Sequence, residues 1–165
     1  GCFWGLELAY QRTPGVLCTC TGYTQGDATS PSYAEVCSEA TGHTEAVLLL
    51  YDHSLVSYAA LAELLFDRIG DPTMLHRVGR DRGPQYRTGM YFHSEAQEAE
   101  ARLAFEREAS GWKSSGRPVV TEVRPAGIFW PAEEEHQRFL EKGNGRSGKP
   151  QSAEKGTGEE IRCYG

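Results

Sequence analysis

A chain of 165 residues, 39% hydrophobic and 24% charged, is long enough for one packed domain and ordinary in composition for a soluble globular protein. Its net charge of −6, from 17 basic and 23 acidic residues, argues against a nucleic-acid partner, and no apolar run reaches membrane-spanning length. Five cysteines do not fit a fully paired secreted scaffold and point to a reducing compartment with functional thiols. A cytoplasmic monomer is therefore expected. The chain opens on glycine rather than methionine, which leaves room for a preceding targeting segment and keeps an organelle open.

The first helix is predicted from Phe3 onward, with Leu6, Leu8, Ala9 and Tyr10 in register and Pro14-Gly15 as the turn that ends it. Val16–Tyr23 alternates as a strand, and Cys18 and Cys20 share one face of it as buried packing residues. A polar loop, 25–31, leads to a short helical turn at Tyr33–Cys37 capped by Ser32. His43–Tyr51 is the next strand, with Ala46–Leu50 nearly continuous in apolar residues. Ser57 caps a helix to Ile69, ended by Gly70, and residues 71–84 form a long loop. Tyr86–His93 is a strand, and Ser94 with Gln97 forms a capping box opening a helix to about Ser110. Val119–Val123 is a strand, and Pro131–Leu140 a helix with proline at its start.

From Glu141 glycine, lysine, glutamate and serine dominate, so residues 1–140 read as the catalytic domain and 141–165 as a flexible arm carrying Cys163. Gly143-x-Gly145-x-x-Gly148 imitates a dinucleotide fingerprint, and Gly143 to Gly148-Lys149 a phosphate loop. Both lack the preceding strand and following helix that would make them bind. The alternation of elements predicts an α/β (α+β) two-layer sandwich with one mixed or antiparallel sheet.

Gly1-Cys2-Phe3-Trp4-Gly5 concentrates the chemistry. A cysteine at a helix start meets unpaired N–H groups and the positive end of the macrodipole, which favour a thiolate. Phe3 and Trp4 can wall an apolar substrate pocket, while Gly1 admits close approach. Glu45 stands in the apolar run Thr44–Leu48, where it reads equally as an outward-facing charge or as a buried proton donor. Glu133 and His136 have Glu-x-x-His spacing without a second such pair, and a solvated helix charge accounts for them better than a metal site. Cys18-x-Cys20 likewise lacks a second ligand pair, so no metal is expected.

Seven motifs follow one another: Gly1–Gly5, Gly22-Tyr23, Tyr33-x-x-Val36-Cys37-Ser38, Thr41-Gly42-His43-x-Glu45, Tyr51-Asp52, Asp71-Pro72-Thr73 and Asp81-x-Gly83-x-Gln85-Tyr86-Arg87. Together they resemble the type A peptide methionine sulfoxide reductases, the class that reverses methionine oxidation. The segment Ala132–Gln137 resembles the family as well. The resemblance implies a ferredoxin-like core wrapped by long loops, with Cys2 as nucleophile and Glu45 as acid. It further implies Tyr33 and Tyr86 as donors to the sulfoxide oxygen and Asp81 as holder of a polar network. The implied reaction reduces methionine S-sulfoxide, free or in proteins, through a Cys2 sulfenic acid. Cys163 on the arm is the candidate to condense with it, Cys37 being read as structural. The disulfide would be reduced by thioredoxin or another dithiol, with no bound cofactor.

Several positions depart from the family pattern. Glu39 stands where glycine is common, Arg80 where asparagine is, and Pro84 where threonine is; Asp67-Arg68-Ile69-Gly70 replaces an aromatic-and-histidine segment. The family's strand before the cysteine motif is absent from the sequence in hand, its usual ending with two cysteines is not found, and some relatives carry selenocysteine at the nucleophile position. A thiol peroxidase and a non-catalytic peptide-binding module are the alternative readings.

Overall fold

The computed structural model describes residues 1–163. Helix α1 (Phe3–Arg12) begins immediately after Cys2, and Thr13 ends it by returning its N–H to the carbonyl of Tyr10. Strand β1 (Val16–Thr24) follows, and then helix α2 (Tyr33–Cys37), held by a reciprocal capping box between Ser32 and Glu35. Strand β2 (Thr44–Tyr51) pairs antiparallel with β1, placing Tyr23 opposite Glu45 and Cys20 opposite Leu48. Helix α3 (Tyr58–Ile69) is capped by the Ser57 hydroxyl and stopped at Gly70, whose φ of 69° suits glycine. The long loop contains a small hairpin of β3 (Arg77–Val78) and β4 (Asp81–Arg82). Strand β5 (Gly89–Phe92), helix α4 (Glu95–Trp112), β6 (Glu122–Pro125) and β7 (Trp130–Pro131) complete the order.

The mixed α/β architecture agrees with the expectation, but the strands form three ladders where one sheet was expected. β2, β1 and β7 make an antiparallel sheet, β3 and β4 a hairpin, and β5 and β6 a parallel pair. A cavity of about 140 Å³ is lined by residues of α1, β2, α3 and β5, among them Leu6, Tyr10, Val47, Leu61, Leu65 and Met90. The strands expected at 86–93 and 119–123 start later. Pro84–Tyr86 is a 3₁₀ turn, and Thr88 and Thr121 meet through their hydroxyls at 2.9 Å ahead of the ladder. One apolar cluster joins α3, α4 and β5 through Leu65, Phe66, Met90 and Ala101. A second joins Phe3, Tyr23, Val36 and Ala132 directly behind the N-terminus of α1.

Pro131–Leu140 is not a helix. Its start pairs with β1, and the residues beyond it form successive turns, with Arg138 in the left-handed region at φ 55°. Tertiary hydrogen bonds replace the helical ladder: the Gln137 amide donates to the carbonyls of Thr21 and Ala132, and the Arg138 N–H donates to buried Glu7 at 2.8 Å. Cys18 and Cys20, expected to be buried, are exposed and half-buried. They sit opposite Leu50 and Leu48, two leucines that are themselves exposed.

The polar segment after Glu141, expected as a flexible arm, lies along α1. Arg12 donates to the carbonyls of Ser152 and Glu159 at 2.8 and 2.6 Å, and Lys155 donates to that of Val16 at 2.6 Å. Buried Gln151 clamps Arg162, accepting from its N–H at 2.9 Å and donating to its carbonyl at 2.8 Å.

Candidate active site

Cys2 is the N-cap residue of α1, and the first N–H groups of that helix serve two side chains. The Trp4 N–H points to the Cys2 sulfur, and the Phe3 N–H donates to Oε2 of Glu45 at 3.0 Å. Asp81, brought in by the β3–β4 hairpin, hydrogen-bonds the Cys2 thiol. The expected acidic thiol is not what this setting produces. Burial, and then the nearby Glu45 carboxyl, push Cys2 well above the ordinary thiol range, outweighing the Trp4 N–H. Glu45 itself is pushed up to about 8 by burial, against the lowering effect of the Phe3 N–H. At neutral pH the site therefore holds a thiol beside a neutral carboxylic acid.

Two phenols complete the polar side. Tyr33 opens α2, and its own N–H is fixed by Glu133 at 2.7 Å. Tyr86 sits in the 3₁₀ turn, which buried Thr44 anchors by its hydroxyl, at 3.0 Å from the Gln85 carbonyl and 3.1 Å from that of Arg87. Burial pushes both phenols up, and Glu45 and Cys2 act on both electrostatically. Both consequently remain hydrogen-bond donors at any physiological pH. The Tyr33 hydroxyl also hydrogen-bonds Cys37, which is half-buried at the end of α2.

The apolar side is built on Trp4. Its indole N–H donates to Nδ1 of His136 at 3.3 Å, and its ring stacks on Phe139 at 3.9 Å. His136 in turn packs on Tyr33 at 4.3 Å between ring centroids. Phe3 is completely buried and packs behind this wall against Tyr23. Cys163 reaches the site from the other side. With Cys2, Gly5, Arg68 and Val78 it lines a second cavity of about 260 Å³, and a Cβ on Gly5 would fall 2.0 Å from its sulfur. Among the described residues no group of three His, Cys, Asp or Glu side chains could hold a metal ion.

The chain matches the family model described as peptide methionine sulfoxide reductase over residues 1–160. The chain belongs to this family. It is 50% identical over its whole length to peptide methionine sulfoxide reductase A3 of Arabidopsis thaliana, spanning 79% of that protein. It is 50% identical to a peptide methionine sulfoxide reductase of Brassica napus, of which it spans 62%. The solved methionine sulfoxide reductase A of Corynebacterium diphtheriae superposes with a TM-score of 0.80 at 36% identity, covering 87% of this chain and 72% of that one.

Residues of four of the seven motifs thus converge in space: Cys2, Glu45, Asp81, Tyr33 and Tyr86 meet at one end of α1. Sequence reasoning missed the residues that hold them. Glu133, read as a solvated charge, receives the Tyr23 hydroxyl at 2.8 Å as well as the Tyr33 amide. His136, read the same way, is buried under Trp4 and Tyr33. The signal available for both was the placement of a Glu-x-x-His pair inside a segment already resembling the family.

Proposed function

We propose that the chain reduces methionine S-sulfoxide, free or within oxidised peptides and proteins, to methionine. The observation that carries this reading is the pairing of a nucleophile with an acid at one helix end. Cys2 caps α1, and Glu45, neutral at pH 7, is held by the N–H of the very next residue. The sulfoxide oxygen takes hydrogen bonds from Glu45, Tyr33 and Tyr86, while its methyl group lies against Trp4. Cys2 reacts as the thiolate, its proton having left for solvent by way of the hydrogen bond to Asp81, and Glu45 delivers a proton to the oxygen as the sulfur bonds the substrate. Oxygen passes to Cys2, giving a sulfenic acid and free methionine. Trp4 and the turn carrying His136 and Phe139 form the wall that selects the methyl group.

Cys163 then condenses with the sulfenic acid, releasing water and leaving a Cys2–Cys163 disulfide. A thioredoxin-like dithiol in a reducing compartment restores the two thiols, so no bound cofactor takes part. Support for Cys163 comes from its place in the same cavity as Cys2. The test is an assay driven by dithiothreitol on the two separated sulfoxide epimers. Reduction of the S epimer alone is expected, and equal rates on both would reject the assignment.

A further inference from the structure

The mechanism above leaves unused a charged side chain beside the site, Arg68. Arg68 lies in the last turn of α3, and its Nη2 comes within 3.5 Å of the point a Gly5 Cβ would occupy. Cys163 stands at the same point, so Gly5 is the gap through which guanidinium and thiol approach one another. The Arg68 side chain hydrogen-bonds the Cys163 sulfur. Its Nε is buried with no hydrogen-bond partner among the described residues. None of the ion pairs among those residues includes Arg68. The chain on the thiol's side is equally fixed, since the Gln151 clamp grips the residue directly before Cys163.

We propose that Arg68 is the positioning residue that makes Cys163 the resolving thiol, stabilising its thiolate and aiming it at the oxidised sulfur of Cys2. This rests on the reductase reading given above. A guanidinium keeps its charge throughout the physiological range and suits a site shielded from water. The other ionisable groups facing Cys163 are Asp81 on β4 and Cys2 itself, and a negative charge on either opposes a thiolate there. Burial also pushes the Cys163 thiol up, and Arg68 is the group that opposes it.

The step balances without a further reactant. The Cys163 thiolate attacks the sulfenic sulfur of Cys2, a sulfur–sulfur bond forms, and the sulfur–oxygen bond breaks. The oxygen leaves as hydroxide and takes up the proton that Cys163 had released, giving water. Cys163 is oxidised and the sulfenic sulfur reduced by the same electron pair. At a pH below the thiol's pKa, each unit by which that pKa is lowered raises the thiolate about tenfold and costs about threefold in nucleophilicity, a net gain of about threefold.

Two measurements on the full chain test this. In the first, one equivalent of the S-sulfoxide is added without reductant, and methionine release and the Cys2–Cys163 disulfide are followed separately by quenched mass spectrometry. Arg68→Met should release methionine at the parental rate but form the disulfide roughly three- to tenfold more slowly at pH 7. The deficit should close as pH rises, and Arg68→Lys should recover part of the rate. In the second, alkylation of Cys163 is followed against pH in a Cys2→Ser background. This needs no substrate, so it stands even if no methionine is released and the reductase reading fails. Removing Arg68 should move the profile to higher pH. An unchanged alkylation profile, or disulfide formation slowed equally at every pH, would overturn the proposal.

Discussion

The Phe3 amide donates to Oε2 of Glu45 at 3.0 Å, so a single helix turn grips the proposed acid while its N-cap residue, Cys2, is the proposed nucleophile. The two groups therefore titrate in each other's presence. The reactive arrangement, thiolate with neutral Glu45, has one proton fewer than the resting pair. With Glu45 near 8 and Cys2 higher, that proton count is reached only on the alkaline side. The single-turnover rate should rise with pH through about 8 and fall again above the Cys2 value.

Glu45→Gln should slow that step on the order of a hundredfold, the usual scale for losing a general acid. It should also remove the descending limb, because the rate then follows the Cys2 thiolate alone. A pH–rate profile with both limbs intact in Glu45→Gln would place the acid elsewhere.

The same substitution should stabilise the fold. Glu45 has a folded-state value raised above its ordinary 4.5 to about 8, so its contribution is fully present below 4.5 and is lost as pH rises toward 8. At pH 7 Glu45→Gln should gain about 3 kcal/mol, and at pH 4 almost nothing. Denaturant midpoints at the two pH values check this.

Gly5→Ala places a methyl group on the sulfur of Cys163. Helix propensity alone would favour alanine by about 1 kcal/mol. The tail must nevertheless shift, so methionine release in a single turnover should persist while formation of the Cys2–Cys163 disulfide slows about tenfold or more. Quenched mass spectrometry of the Gly5→Ala protein distinguishes the two steps.

Thr44→Val keeps the shape but removes the hydroxyl that anchors the Gln85 and Arg87 carbonyls on either side of Tyr86. Loss of stability of about 1–3 kcal/mol is expected, since the one O–H donor shared by these carbonyls is lost in a buried setting. Tyr86 also loses its anchor, so KM for the sulfoxide should rise. Unfolding curves and steady-state kinetics on the same preparation test both effects.

Local chemistry made much of this protein legible. Ser32, Ser57 and Ser94 each accept the backbone N–H expected of an N-cap. Gln97 departs slightly from a capping box, accepting from the His93 N–H at 2.8 Å. Cys2, Tyr33, Glu45, Asp81 and Tyr86 were legible because each lies in a local motif, whereas Cys163 was singled out only by its place on the polar tail. What escaped was set by long-range hydrogen bonding: the turns after Pro131 are held by Glu7 and Thr21, more than a hundred residues away in the chain. The path of the tail follows from Arg12 reaching backbone carbonyls, an interaction that leaves no pattern in side-chain types. The thiolate expected of Cys2 failed for a related reason. The helix end was visible in the sequence, but the burial and the carboxyl that oppose it were not.

The central claim is that Cys2 takes the substrate's oxygen. Its most direct measurement is one equivalent of methionine S-sulfoxide added to Cys163→Ser without reductant, followed by trapping with dimedone and peptide mass spectrometry. One methionine should appear per enzyme, with the dimedone adduct on Cys2 and none on Cys18, Cys20 or Cys37. Methionine formed without an adduct on Cys2, or with the adduct on another cysteine, would contradict the account.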